Sequence, residues 1–394
     1  MRISRLTTLP LSVPLAPPPG GSDHPLRAQF VTYCLVRVET DDGLVGYGEI
    51  SDGWGCEYAQ VAAAIVDEAL SRFVLGADPG APGPLVQRIW GWLRRRQGTA
   101  WLVAQAVSGL EIALWDLAGK AVGQPVHRLL GALPHRIGIY ASGNFLSQGP
   151  AEVHLDSFRP YLERGVRAVK LRIGPTWERD LETLTAFRQL VGPAVTIYVD
   201  GNEAFSAKTA LRIARRLEAL GVGFFEEPVP RDNPRALAWL VAESPIPIAY
   251  GEHVHRLDGF LELAERGLAD VWQPDATVCG GILEARKVLD LAAARNVRIS
   301  PHAATTPLGV AANLHVAATA STLGLFEYSP AVDALAPWFA GGAALALGAV
   351  SDGCLSPPDG PGLGIEPQPE LFERYPYQRP GPLLKSPPLY QGTV

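Results

Sequence analysis

From residue 137 onward the sequence repeats one unit, a short apolar run ending in a polar residue and followed by a stretch of helical periodicity. The strand-like runs are residues 137–141, 168–173, 195–200, 223–226, 246–252, 271–275, 297–302 and 323–327. A helical run separates each pair of consecutive strand-like runs, for example residues 282–295 between the sixth and the seventh. The strands should therefore be parallel, and eight parallel strands can close into a barrel. A doubly wound open sheet is the structural alternative, but no G-x-G-x-x-G turn follows the first run.

The segments on either side of this repeat have a different pattern. Residues 1–50 contain three strand-like runs, with a hairpin turn at 40–43, and helical runs follow at 58–73, 85–96 and 101–121. The tail after about residue 340 is rich in Gly and Pro, and we expect it to wrap back over the first domain. We therefore predict an α+β domain at 1–132, a barrel at 133–335, and a returning segment at 336–394.

Composition narrows the class of protein further. A net charge of −6 argues against nucleic-acid binding, which needs a clustered basic face. No uninterrupted apolar stretch of about 18 residues is present, which argues against a membrane span, and prolines interrupt the apolar N-terminal segment. The four cysteines are scattered without CxxC spacing, so we expect neither a zinc site nor disulfides, and a cytoplasmic location.

Acidic residues end three successive strand-like runs. Asp200, Glu226 and Glu252 are each separated by one strand–helix unit, so they should meet on one rim of the barrel. Three converging carboxylates repel one another unless a cation lies between them, and an all-oxygen ligand set favours Mg²⁺. We expect Glu227 not to be a ligand, since neighbouring strand residues point to opposite sides.

Other strand ends carry bases. Lys170 and Arg172 lie two apart on one run, so both side chains should point toward the same side, into the barrel. Asp275 and His302 end neighbouring runs, and a carboxylate beside an imidazole orients it and raises its basicity. The pair is therefore predicted to be an acid/base dyad.

Together these segments resemble the enolase superfamily of the mandelate racemase type. The resemblance rests on the helix AVSGLEIALWDLAGK at 106–120, on the ordered segments VKLR, VDGN, FEEP, GEH, QPD, SPH and FEY, and on PDGPGLGIE at 358–366. It spans almost the whole chain.

The resemblance implies a (β/α)7β barrel with an α+β capping domain, and a homo-oligomer that acts on a small carboxylate substrate. It also implies that the acidic trio binds Mg²⁺, that Lys170 neutralises the substrate carboxylate, and that Glu327 hydrogen-bonds that carboxylate. We further predict that Arg172 and Asn202, which lie at strand ends, contact the substrate. Capping loops at about 15–29 and 51–60 should close over the barrel, with His24 and Trp54 as the candidates that contact the substrate.

One departure from the family pattern bears on the reaction. Arg172 stands where the family usually has a second lysine that acts as a base, and guanidinium does not give up its proton at a useful pH. Racemisation needs an acid/base group on each face of the carbon, whereas syn elimination of water needs His302 alone. We therefore predict an acid-sugar dehydratase, with a sugar-acid lactone cycloisomerase as the near alternative and a racemase or epimerase third.

Two other kinds of barrel protein fit the sequence less well. A phosphate-binding barrel places Gly-rich backbone turns after its last two strands, whereas here the runs end in PHAA and EYSP. A non-catalytic binding barrel has no need of an acidic trio beside a dyad.

Overall fold

The computed structural model describes residues 1–14, 30–96, 98–132 and 135–379, apart from the side chain of Asn144. These residues form a three-stranded antiparallel sheet with helices against it, and a parallel sheet of eight strands that curls into a barrel. The predicted α/β barrel with an N-terminal α+β cap is therefore confirmed, and the open doubly wound sheet is excluded.

The cap is built on a meander. Strand β1 (Ile3–Pro14) pairs with β2 (Phe30–Thr40), which pairs with β3 (Val45–Ile50). Its helices are α1 (Ala59–Ala64), α2 (Ser71–Val74), α3 (Pro82–Arg94) and α4 (Leu102–Val122), with a π-helical turn at Ile65–Leu70 between the first two. The helical run predicted at 58–73 is thus helical without a break from 59 to 74, with a π-helical middle.

Helix α4 is the central helix of the cap. Gly46 and Gly48 on β3 face it so closely that a Cβ on either would clash with the helix backbone. The helix is long and apolar enough to cross a membrane, but 83% of its most apolar 18-residue stretch is buried inside the fold. The helix is therefore apolar because it packs on the sheet.

The barrel follows after α5 (Val126–Leu129). Its strands are β4 (Ile137–Phe145), β5 (Ala168–Arg172), β6 (Thr196–Asp200), β7 (Val222–Glu226), β8 (Ile248–Tyr250), β9 (Val271–Trp272), β10 (Arg298–Ile299) and β11 (Phe326–Tyr328). They pair in chain order, β11 returns to pair with β4, and Ile299 bridges Leu323 just before β11. The helices between them are α6 (Ala151–Glu163), α7 (Trp177–Val191), α8 (Ala207–Ala219), α9 (Pro234–Glu243), α10 (Arg256–Arg266), α11 (Ile282–Arg295) and α12 (Pro307–Ala317).

Alternation along the strands divides them into an outer and an inner face. Val169 and Leu171 belong to the large apolar core that includes residues of the surrounding helices, whereas Ala168 and Lys170 face the barrel interior. The rings of Tyr198 and Phe224 stack in that interior with centroids 3.8 Å apart. These interior side chains form an apolar floor beneath the polar rim.

Several strands are shorter than the sequence predicts. The runs at 271–275 and 297–302 are strands over two residues each, and the run at 246–252 over three. Pro274 and Pro301 have no N–H to donate to the ladder, and Gly251 leaves the strand with φ +144°. Glu252, Asp275 and His302 consequently lie in loops just beyond the strand ends.

The C-terminal segment contacts both units. It contains α13 (Ala331–Leu335), β12 (Phe339–Ala340), β13 (Cys354–Leu355), β14 (Glu366–Pro367) and α14 (Pro369–Arg374). Strand β12 pairs with β14 and β13 pairs with β4, while Leu11 of β1 bridges Pro376. The boundaries drawn at 132 and 335 stay a prediction.

Candidate active site

Lys170 lies at the centre of the barrel rim. Its ammonium nitrogen is 2.6 Å from Glu226 Oε1, 3.0 Å from Glu327 Oε1 and 3.7 Å from Asp200 Oδ2, and the residue is fully buried. Burial alone would lower its pKa, but the carboxylates of Glu226 and Glu327 raise it well above the ordinary value. Lys170 is therefore a fixed positive charge.

Asp200 is surrounded by donors. Its Oδ2 is 3.3 Å from Arg172 Nε, and both of its oxygens accept from Asn202, at 2.9 Å from the backbone and 3.3 Å from the side chain. Arg172 also donates to the carbonyl of Gly143. Arg172 and Asn202, both predicted to contact substrate, are thus bonded to a predicted metal ligand.

Asp275 and His302 are hydrogen-bonded. His302 Nδ1 lies 2.9 Å from Asp275 Oδ2, and Asp275 Oδ1 accepts from Thr277 N at 2.8 Å, Thr277 Oγ1 at 2.6 Å and Asn313 Nδ2 at 2.8 Å. Both dyad residues are buried. Because the other oxygen of Asp275 already accepts three hydrogen bonds, the carboxylate holds the ring through its Nδ1–H and directs Nε2 to the rest of the site.

The free nitrogen of His302 points to the carboxylates. Nε2 lies 3.7 Å from Glu252 Oε2 and 3.8 Å from Glu327 Oε2. Burial lowers the pKa of His302, but these two carboxylates and the bond to Asp275 outweigh it and raise the pKa to about 10. A carboxylate–imidazole dyad thus faces the same space as Lys170 and the acidic rim.

Strand alternation predicted that Glu227 points away from this rim, but its side chain points toward it. Glu227 follows the last residue of β7 and has φ +35°, a left-handed conformation in which alternation no longer holds. Its ligand oxygen lies within 4.8 Å of ligand atoms of Glu252 and His253. The expectation about its direction is wrong.

Two further side chains belong to the site but were not selected from the sequence. Gln273 donates to Glu226 Oε2 at 2.7 Å, and His253 Nε2 lies 3.2 Å from Glu252 Oε1. Gln273 stands in the QPD segment and His253 in GEH, both at strand ends. Their positions at strand ends could have identified them as site residues, but neither belongs to a set of like residues at a regular spacing.

The capping loop approaches this side of the rim. Gly53 has φ +112°, and a Cβ there would lie 2.6 Å from His253 Cε1 and 3.5 Å from Glu252 Oε1. The neighbouring Trp54 is 53% exposed at the surface. The loop is therefore near the predicted site. His24 lies outside the described residues, so its predicted role stays a prediction.

The residues present suit a divalent cation. Five buried carboxylates, of Asp200, Glu226, Glu227, Glu252 and Glu327, share the rim with two permanent cations, Lys170 and Arg172. Burial raises the pKa of Asp200 and of Glu226, which is the cost of excess negative charge away from water. All these donors are hard oxygens, the type that Mg²⁺ prefers.

The predicted trio is not, however, the tightest group. In the part of the chain that the structure describes, the group of three metal-binding side chains with all ligand atoms within 4.8 Å is Glu227, Glu252 and His253. Asp200 and Glu226 instead direct their oxygens to Lys170, Arg172 and Gln273. The assignment of the trio as metal ligands stays a prediction.

Comparison with known proteins agrees with this architecture. Residues 20–131 match the N-terminal domain of mandelate racemase / muconate lactonizing enzyme, and residues 155–371 match the enolase C-terminal domain-like family. The chain is 31% identical to arabinonate dehydratase of Saccharolobus solfataricus over 361 residues, 90% of this chain and 92% of that enzyme.

Two other relatives differ in their reactions. D-galactarolactone cycloisomerase of Agrobacterium fabrum is 34% identical over 353 residues, 86% of this chain and 90% of that enzyme. The crystal structure of a racemase from Streptomyces coelicolor A3(2) with bound magnesium superposes with a TM-score of 0.81 at 29% identity, covering 94% of this chain and 99% of that one.

Proposed function

Because the chain belongs to the mandelate racemase / muconate lactonizing enzyme family of the enolase superfamily, we propose that it is an acid-sugar dehydratase. It removes the proton next to the carboxylate of a sugar acid and expels the β-hydroxyl as water, leaving a 2-keto-3-deoxy acid. The observation that carries this proposal is the buried Asp275–His302 dyad, whose Nε2 lies beside Glu252 and Glu327, the second of which also pairs with Lys170.

His302 is the base in this scheme. Its Nε2 takes the α-proton, while Asp275 holds Nδ1 and stabilises the imidazolium that forms. The same proton then passes to the departing β-hydroxyl as the carbon–oxygen bond breaks, so that water leaves and His302 is restored. The enol that remains becomes the 2-keto acid. One base on one face of the substrate suffices for this syn elimination.

Asp200, Glu226 and Glu252 would hold the Mg²⁺ that the family uses, and Lys170 would neutralise the substrate carboxylate. When bound, the cation supplies positive charge that stabilises an enediolate and lowers the pKa of His302 toward the range where it acts as a base. Arg172, Asn202 and Glu327 contact the substrate from neighbouring strand ends, and Trp54 and His24 from the capping loops.

A cycloisomerase acting on a sugar-acid lactone is the second candidate. Its support is the 34% identity to D-galactarolactone cycloisomerase, which is higher than that to arabinonate dehydratase. Both reactions need only one base. Offering aldonates, aldarates and the corresponding lactones to the same preparation separates them, because the dehydratase consumes the open acids.

The test of the proposal is a dehydration assay over a library of aldonic and aldaric acids, with the 2-keto product as readout. We expect turnover that a chelator abolishes and that added Mg²⁺ restores. Turnover unchanged by the chelator, or no product from any acid, would contradict the proposal. Recovery of only epimerised substrate would instead identify a racemase or epimerase.

We further propose that the enzyme works in the cytoplasm as a homo-oligomer, without nucleic-acid or membrane partners. The basis is the net charge of −6, the absence of paired cysteine motifs in the sequence, and, for the homo-oligomer, the membership of the family.

A further inference from the structure

We propose that Glu227, Glu252 and His253 form a second divalent cation site, which shares Glu252 with the proposed magnesium site. The three ligand atoms all lie within 4.8 Å of one another. His253 Nε2 is 3.2 Å from Glu252 Oε1 and 3.8 Å from Glu227 Oε2. The proposed dehydratase reaction assigns no role to Glu227 or His253, so this inference goes beyond it.

A buried atom without a partner supports the site independently. Glu227 is 1% exposed, and its Oε1 has no hydrogen-bond partner among the described residues. Leaving a carboxylate oxygen buried and unsatisfied costs on the order of 1–3 kcal/mol, and more if the group is charged. A cation bound between Glu227 and His253 would remove that cost.

The backbone holds Glu227 in this unfavourable position. Its φ of +35° is accompanied by left-handed angles at Asn202 and Glu203, on the neighbouring strand end. Glu227 donates its N–H to Ala249 O at 3.1 Å and accepts from Glu203 N at 2.7 Å, which fixes the turn. Strained backbone of this kind persists where the surroundings enforce it, and it is commonest at functional sites.

Arg231 is a permanent cation bonded to the turn that holds Glu227, and it is already engaged. Arg231 forms a bidentate pair with Glu203, with Nε 2.9 Å from Oε1 and Nη2 2.9 Å from Oε2, and its backbone N–H donates to the same carboxylate at 2.8 Å. Tyr250 also donates to Glu203. Glu203 thereby takes up the hydrogen bonds of Arg231. Among the described residues, the ion-pair partner of Glu227 is the His253 imidazole, at 3.8 Å.

The ligand set indicates the class of metal. Two carboxylates and one imidazole suit Mn²⁺, Co²⁺ or Zn²⁺ better than Mg²⁺ or Ca²⁺, which prefer oxygen ligands alone. The capping loop covers the site, since Gly53 lies so close to His253 that a Cβ there would be 2.6 Å from Cε1. We therefore expect a transition-metal ion beneath the loop, beside the site where Asp200 and Glu226 would hold Mg²⁺.

Stoichiometry of metal binding tests the proposal. The full chain is stripped with a chelator, titrated with Mn²⁺, and followed by electron paramagnetic resonance and by metal analysis after dialysis. We expect two ions per chain with a spin-coupled signal, because they share Glu252. Glu227→Gln and His253→Asn should each bind one ion with an uncoupled signal. His255→Asn is the matched control, since this neighbouring histidine lies outside the cluster, and it should keep both ions.

The outcomes separate this proposal from the proposed function. One ion per chain that Asp200→Asn removes, and that His253→Asn leaves in place, overturns the second site while the dehydratase proposal stands. Two ions in both Glu227→Gln and His253→Asn also overturn it. No Mn²⁺ binding by the unmodified chain overturns the second site, and the chelator assay with added Mg²⁺ decides the dehydratase proposal separately. Circular dichroism of each variant, matched to the unmodified chain, confines the comparison to folded protein.

Discussion

His302 is the residue on which the one-base scheme depends, because its Nε2 is the free nitrogen of a dyad buried beside the acidic rim. We expect His302→Asn to lose dehydration and exchange of the α-proton in D₂O together, each by about 100-fold or more, the usual contribution of a general base. Proton NMR of substrate and product measures both. Retention of both activities in this variant would show that another group takes the proton.

Arg172 bears on the outcome of the reaction after the proton has been removed. Its guanidinium, 3.3 Å from Asp200 and bonded to Gly143, remains charged and offers no second base. In Arg172→Lys we expect recovered substrate to contain the α-carbon epimer, because an amine can return a proton to the opposite face. Chiral chromatography of unreacted acid is the measurement, and Arg172→Met, which adds no base, is the control. Epimer in both variants, or in neither, would contradict this explanation.

For single residues, the sequence predicted which ones lie on the barrel rim better than it predicted where their side chains point. Spacing of one strand–helix unit was enough to place Asp200 and Glu226 on one rim, because barrel geometry determines where parallel strands end. The direction of Glu227 depends on a positive φ one residue past the strand, and no periodicity encodes that angle. His253 was also missed, because only the fold brings its side chain next to Glu227 and Glu252.

At the scale of elements, helix α12 links the cap to the dyad. Its N-terminus is capped by Thr306 and by Glu49 of β3, which accepts from Thr306 N at 3.1 Å and Gly309 N at 2.9 Å. Two turns further, Asn313 donates to Asp275 Oδ1 at 2.8 Å and accepts from Ala276 N at 2.7 Å. The helix therefore orients Asp275, and through it the ring of His302.

Asn313→Leu tests that positioning role. The volume is nearly conserved, but Asp275 loses a donor and Ala276 N–H an acceptor, at about 1–3 kcal/mol for each buried group left unpaired. We expect kcat to fall about tenfold or more while KM changes little, because Asn313 orients the base and does not contact substrate. Steady-state kinetics measures kcat and KM, and a thermal melt shows that the variant is folded. A rise in KM at unchanged kcat would contradict the positioning role. Asn313→Asp, which keeps the acceptor but adds charge beside Asp275, should be worse than leucine.

Helices were predicted from sequence more closely than barrel strands. The periodicity that indicated residues 282–295 matches α11 at both ends, since an amphipathic stripe extends over the whole helix. Strands β9 and β10 shrink to two residues because the next prolines cannot donate to a ladder. Asp275 and His302, predicted at strand ends, therefore lie in loops. In a loop, the direction of a side chain depends on contacts with residues distant in sequence.

For the whole molecule, the contacts between cap and barrel were beyond sequence reasoning. Glu111 of α4 accepts from Ile282 N at 2.6 Å and Leu283 N at 3.0 Å, so a cap residue caps barrel helix α11. His127 and His315 stack at the junction with Nδ1 atoms 3.0 Å apart. These pairs join residues separated by more than 170 positions, and only the packed fold defines them.

Glu111 makes the stability of the assembled cap and barrel depend on pH. Burial, partly offset by its backbone hydrogen bonds, raises the pKa of Glu111 to about 7 from 4.5, and Glu49 is raised similarly. Between those two values the native state retains a proton that the unfolded state has released. The stabilisation is therefore complete below about pH 4.5 and is lost as the pH rises through 7, by about 3 kcal/mol at most for Glu111.

Glu111→Gln isolates this contribution. A neutral amide keeps one acceptor for the α11 N-terminus and loses the other, so the variant should melt at a lower temperature than the unmodified chain at pH 5. Because it cannot ionise, its melting temperature should fall less between pH 5 and pH 8, and the two curves should converge or cross. Calorimetry at several pH values measures the difference, in which titrations common to both chains cancel. Parallel curves would mean that Glu111 is already ionised in the native state at pH 5, held by the helix dipole of α11 despite its burial.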